Sequence, residues 1–120
     1  RVLGGYEEKG NFVINSSSQW SELWTMIHRR DIPIPQAPEI EFHKTTIIAA
    51  FMGAQTTGGY TVEIHKIDEN QNNFEVIVKE TSPGPNCAVA EALTQPYHIV
   101  KIPKTNKEII FKVEKEVINC

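Results

Sequence analysis

The sequence predicts an α+β domain in which a mainly antiparallel, twisted sheet of about six strands carries one N-terminal amphipathic helix on one face. Two patterns indicate this class. Apolar residues recur at helical spacing in one early segment, and from Thr45 onward short β-branched or alternating stretches are separated by turn residues. The chain has 120 residues, 40% of them hydrophobic and 22% charged. That is enough for one modest core, so we expect a single domain over residues 1–120.

The helix is predicted from four apolar side chains at positions i, i+3, i+4 and i+7, namely Trp20, Leu23, Trp24 and Ile27. Three serines at 16–18 precede it and offer hydroxyl oxygens for capping its first turn. We expect the helix to end near Arg29, because the prolines that begin at Pro33 exclude further helix and favour an extended linker. The aromatic stripe is expected to hold the helix against the sheet.

Six strands are predicted, at residues 11–15, 45–51, 60–67, 74–79, 97–102 and 108–118. The segment 45–51 (TTIIAAF) is apolar on both faces, which is typical of a central strand. The third and fourth segments alternate and are separated by a polar turn, which predicts an antiparallel hairpin. Residues 81–95 are expected to form a long irregular loop, and residues 1–10, with three glycines, a loose lead-in.

Charge and hydropathy exclude two classes of partner. The net charge is −3 and there is no basic stripe, so we expect no nucleic-acid partner. No apolar run approaches the ~18 residues that a membrane-spanning helix needs. Because the sequence begins at Arg1 without a signal peptide, we read it as a processed product or a trimmed segment. Any export signal or anchor would then lie upstream of Arg1.

The two cysteines, Cys87 and Cys120, have a spacing that fits no zinc or redox motif. They are either two free thiols or one disulfide that ties the C-terminal residue to a mid-chain loop. The second arrangement would close a loop of about 34 residues and would indicate an oxidising compartment.

The sequence predicts no enzyme, no cofactor and no metal site. Glu63 and His65 share a strand face, which we interpret as an exposed pair, and no third metal ligand accompanies them. A GxSxG nucleophile elbow is absent. The four histidines are dispersed without ligand spacing, at His28, His43, His65 and His98.

The segment 55–60 (QTTGGY) contains a glycine pair at the entry to a strand. It predicts either a tight structural turn or a loop that contacts another protein, with Tyr60 as an aromatic anchor. A phosphate cradle is disfavoured, because the GxxxxGK[ST] pattern is absent and a strand follows instead of a helix.

Three stretches of the sequence resemble the PrcB C-terminal domain family. They are residues 51–64 (FMGAQTTGGYTVEI), 81–87 (TSPGPNC) and 93–103 (LTQPYHIVKIP). In addition, the WSELW string at 20–24 is similar to the N-terminal helix of that family. Together these stretches span roughly Trp20 to Ile118.

The resemblance implies a non-catalytic accessory or stabilising subunit of a protease complex, with another protein, such as a protease, as its partner. It also implies export, as a secreted, periplasmic or surface-anchored lipoprotein with its lipid anchor upstream of Arg1, and a disulfide between Cys87 and Cys120. The predicted contact edge consists of Gln55, Thr56, Thr57, Gly58, Gly59, Tyr60, Pro83, Gly84, Pro85, Pro96, Tyr97 and His98.

An alternative function comes from a second resemblance. The stretch from Thr56 to Tyr60 is similar to the TTGY-type loop of chagasin-like cysteine-protease inhibitors, which wedge several loops into an active-site cleft. The stretch here contains one additional glycine, and the other two loops of those inhibitors have no convincing equivalent in this sequence. On this hypothesis the chain is a protease inhibitor.

Overall fold

The computed structural model describes residues 9–120, so most of the predicted lead-in lies outside the described residues. Six strands and one helix follow in the order β1 (Gly10–Ile14), α1 (Ser17–Ile27), β2 (Thr45–Phe51), β3 (Thr61–Glu69), β4 (Asn73–Pro83), β5 (Tyr97–Pro103) and β6 (Glu108–Ile118). The predicted numbers of strands and helices are confirmed. The largest difference in bounds is at β4, which continues four residues beyond its predicted end, and the last three of these were assigned to the irregular loop.

The strands form two three-stranded sheets instead of the single sheet that was predicted. The first sheet has the order β1-β2-β5, and both of its pairings are antiparallel. The second has the order β3-β4-β6, in which β3 is antiparallel and β6 is parallel to β4. The prediction of a mainly antiparallel sheet is therefore correct only in part, because an alternating pattern defines the buried face of a strand and not its neighbour or direction.

Strand β2 is the centre of the molecule, since both of its faces are buried. Ile47, Ala49 and Phe51 belong to a cluster with the helix, whereas Ile48 and Ala50 belong to a cluster with the second sheet. The order of layers is therefore helix, first sheet, second sheet. The unbroken apolar run of this strand, predicted to be central, follows from its position between two apolar layers.

Helix α1 packs its aromatic stripe on the first sheet, as predicted. The Ser16 hydroxyl accepts a hydrogen bond from the Gln19 backbone N–H at 3.2 Å and caps the helix. Trp20 and Leu23 are buried, and the Trp20 indole N–H donates to the Pro38 carbonyl at 3.0 Å. The proline-rich linker is thus tied to the helix. Among residues 9–120, the helix α1 is neither long nor apolar enough to cross a membrane.

The hairpin of β3 and β4 was predicted and is present. Its register shifts between Ile64 and Lys66, so that His65 is the extra residue of a bulge. On its inner face, Val62, Val76 and Val78 are buried against the first sheet. Glu80 continues this face and is itself buried, with its carboxylate bound to the Lys9 ammonium at 2.6 Å.

Candidate protein-interaction surface

Most of the predicted contact residues lie on two neighbouring loops, whereas Pro83 ends β4 and Tyr97 and His98 begin β5. Residues 52–60 follow β2, and residues 84–96 lead from β4 to β5. Gln55 and Thr94 exchange two backbone hydrogen bonds, of 2.8 and 2.9 Å, and the Gly58 N–H donates to the Ala90 carbonyl at 2.9 Å. The two loops therefore form one paired unit that extends beyond the first sheet.

Thr94 also fixes this unit through its side chain, because its hydroxyl donates to the Thr57 carbonyl at 2.8 Å. We predict that Thr94→Val, which keeps the shape and removes the donor, lowers the free energy of unfolding by about 1 kcal/mol. Hydrogen exchange should accelerate at the amide of Gly58 while it stays slow at Ile48. Unchanged exchange at Gly58 would show that the backbone pairing alone holds the loop.

Gly59 joins a third predicted segment to these loops. Its φ is +92°, and a Cβ added to it would lie 3.1 Å from Pro83 and from Val89. Glycine is therefore required both by the backbone conformation and by the close approach of the two neighbours. This contact places the loop 55–60 against the end of β4.

The segment that follows β4 is attached to the C-terminus. The buried Gly84 donates its N–H to the Ile118 carbonyl at 2.8 Å, and Cys87 is bonded to Cys120 in a disulfide with a Cα–Cα distance of 5.0 Å. Neither cysteine is free. The disulfide implied by the family resemblance is thus present in the structure.

Several side chains of this region are exposed. Thr56 and Pro85 lie at the surface, Leu93 is 59% exposed and Tyr97 is 42% exposed. We call these residues, with Gly59, the loop surface. Exposed large apolar side chains on a hydrogen-bonded scaffold are the kind of feature by which protein surfaces bind other proteins.

Besides the buried Gly84, two further predicted contact residues face the molecule itself. Tyr60 packs against the cluster between the sheets and is only partly exposed. His98 accepts a hydrogen bond on Nδ1 from the Ile64 backbone N–H at 2.8 Å, and so joins the second sheet to β5. Their position indicates a structural role, and their contribution to a contact surface stays a prediction.

An open cavity of about 360 Å³ lies beside His98 and is also lined by Glu63 and Lys79. Its charged groups are engaged elsewhere: Glu63 lies 3.3 Å from His65, as the pattern of the strand predicted, and Lys79 lies 3.4 Å from Glu116. Within residues 9–120, no group of three or more His, Cys, Asp or Glu side chains is arranged to hold a metal ion.

Sequence reasoning missed the strand-like partner of the loop 55–60. Ala90 and Thr94 were placed in an irregular segment, because the proline and glycine cluster before them hides any alternation. The exposed Leu93 was not included in the contact edge either. The available signal was a large apolar residue among small and polar ones in a loop.

Two sheets packed face to face with a helix outside them, together with paired loops at one end, define a small, mostly β domain of the α+β class with a candidate binding surface. Residues 46–103 match the family model described as PrcB C-terminal, which is the family that the resemblance indicated. The match covers β2 to β5 and both paired loops. Helix α1, with the WSELW string, and β6, with Cys120, lie outside it. No curated protein and no solved structure matched the chain.

Proposed function

We propose that this chain is a non-catalytic interaction domain that works outside the cytoplasm as an accessory or stabilising subunit of a protease complex. The observation that carries the proposal is the loop surface. It combines a hydrogen-bonded scaffold, which is part of the family segment, with exposed Leu93 and Tyr97. A prearranged surface loses little conformational entropy on binding, which favours recognition of a protein partner.

The disulfide supports the location. Bridges such as that between Cys87 and Cys120 persist in oxidising compartments and are rare where thiols are kept reduced. The family supports the same location, and a protease complex that acts outside the cell would need its accessory subunit there.

The test uses two exposed positions of the loop surface. Thr56→Arg combined with Pro85→Arg should reduce capture of the proteolytic subunit from an extract of the source organism at least about tenfold, which corresponds to about 1.4 kcal/mol. The reason is that two bulky charges would have to be desolvated in the contact. Bound proteins are quantified by mass spectrometry. Gly59 is avoided, because any side chain there would strain its backbone.

The matched control adds the same two charges elsewhere, as Thr25→Arg on the exposed side of α1 and Asn72→Arg in the turn between β3 and β4. The control should capture the subunit as the unmodified chain does. The proposal is contradicted if both variants lose capture of the subunit equally, or if the loop variant captures it as the unmodified chain does. It is also contradicted if the proteins bound to the unmodified chain include no protease.

A further inference from the structure

Strand β6 forms an edge of the second sheet, since β4 is its one neighbour among the strands of the described residues. It runs for 11 residues in unbroken register with β4. Its end is held by the hydrogen bond from Gly84 to Ile118 and by the disulfide at Cys120. The edge is therefore long and ordered, which is the property that lets a sheet accept another strand.

The outward-facing backbone groups can be assigned. The Ile118 carbonyl points toward the β4 side, because it accepts from Gly84. In a strand these groups alternate in direction, so the even-numbered residues of β6 bond to β4 and the odd-numbered ones face outward. Among the described residues, the N–H and C=O groups that face away from β4 thus belong to Ile109, Phe111, Val113, Lys115 and Val117.

Four of these five residues, all except Lys115, have apolar side chains, and they form a strip that is only half covered. Ile109 and Phe111 pack on the cluster between the sheets, whereas Val113 is 41% and Val117 is 56% exposed. Valine is favoured on a half-buried pleated surface and not at a solvated edge. A strand added beside β6 would extend the apolar face and cover both valines.

We propose that this strand is β6 of a second copy of the chain, paired antiparallel about a two-fold axis at Val113. A two-fold interface brings the same strand of each copy together in opposite directions. The backbone groups that face away from β4 in one copy must bond to the same groups of the other copy, so odd-numbered residues pair with odd-numbered residues. The two-fold axis can therefore pass beside one residue of each strand, but not midway between two consecutive residues.

Charge selects one of these registers. With Val113 at the centre, Lys112 of each copy lies opposite Glu114 of the other, and no like charges are opposed. If the axis passes at residue 112 or 114, Lys112 or Glu114 of one copy lies opposite the same residue of the other copy. Larger shifts that keep a substantial overlap place glutamates of the two copies opposite each other. Opposite charges across a strand pair are favourable and like charges are unfavourable.

The odd-numbered pairs of this register, on the face toward the core, also fit. Ile109 lies opposite Val117, and Phe111 lies opposite Lys115, whose aliphatic stem can cover the ring. The apolar strip of one copy therefore continues into that of the other, and the two second sheets become one six-stranded sheet. The proposal involves a different surface from the loops and does not depend on the proposed function.

The experiment measures the molar mass of the purified chain by light scattering across a wide range of concentration. The unmodified chain should approach twice the mass of the 13.6 kDa monomer. Lys112→Glu alone and Glu114→Lys alone should each weaken the dimer at least about tenfold, because each creates two like-charge oppositions. Lys101→Glu on β5 makes the same charge change outside the interface and should have no effect.

Mixing the two single variants provides the decisive measurement. A chain with Lys112→Glu and a chain with Glu114→Lys oppose only unlike charges, so their mixture should regain the dimer, as should the double variant alone. Recovery would also show that both variants are folded. The proposal is overturned if the unmodified chain has a monomeric mass at every concentration, or if its dimer is insensitive to both charge reversals. It is also overturned if the mixture of the two single variants stays monomeric.

Discussion

Replacement of Cys87 and Cys120 by serine is expected to lower the free energy of unfolding by about 3–4 kcal/mol. The two residues are 33 positions apart, and opening a loop of that length restores conformational freedom mainly to the unfolded chain. A loss of this size is a large part of the 5–15 kcal/mol that is typical of a folded domain. The measurement is denaturant unfolding of both proteins under non-reducing conditions.

Reduction of the unmodified chain is the matched control. A reductant should bring the midpoint of the unmodified protein to that of the double serine variant and should leave the variant unchanged. If the two proteins unfold at the same midpoint without reductant, the disulfide contributes nothing and the C-terminal end of β6 is held by β4 alone. An unmodified protein with titratable thiols in the denatured state would contradict the bridge itself.

The parts of the fold that the sequence predicted are those with a strong local pattern. The four apolar residues of α1, from Trp20 to Ile27, lie on the packed face, and the capping serine is in its expected place. The run TTIIAAF was predicted to be central and is covered on both sides. In these segments burial follows directly from periodicity.

The division into two sheets could not be predicted in the same way. The pattern of β6 places Ile109 and Phe111 on one face, which is correct, but the same pattern is compatible with either neighbour and either direction. The parallel pairing with β4 depends on the path of the chain through β5 and the turn after it. Such long-range geometry is not encoded in a local alternation.

The candidate site was predicted in part, through short motifs. The segment around Gly58 and Gly59 does lie beside Pro83, as a shared contact edge would require. Tyr60 shows the limit of that reasoning, because an aromatic residue beside glycines can serve as an anchor or as a lid on the core. In this structure it packs on the core.

Gly84 connects the family segment to the part of the chain outside it. It lies within residues 46–103, whereas its hydrogen-bond partner, Ile118, and the disulfide residue Cys120 do not. A Cβ added at Gly84 would lie 2.5 Å from the Ile118 carbonyl oxygen. Glycine at this position therefore permits the attachment of β6 that orders both the sheet edge and the loop surface.

Gly84→Ala is accordingly expected to lower the free energy of unfolding by about 1–3 kcal/mol, the usual cost of overpacking a filled site. The backbone of Ile118 would have to move away, and the hydrogen bond from residue 84 would lengthen or break. We expect the loss to be accompanied by faster hydrogen exchange along the C-terminal half of β6. Denaturant unfolding and exchange mass spectrometry measure the two effects.

Gly58→Ala is the matched control, because its added Cβ would meet only ordinary contacts, the nearest at 3.7 Å from Ala90. There the substitution should be neutral, or stabilising by about 0.4–1 kcal/mol, since alanine restricts the unfolded chain more than glycine does. Equal stabilities of the two variants would show that the end of β6 can shift freely. In that case the sheet edge would be far less ordered than the contacts at Gly84 indicate, and the pairing of β6 with a second copy would lose its structural basis.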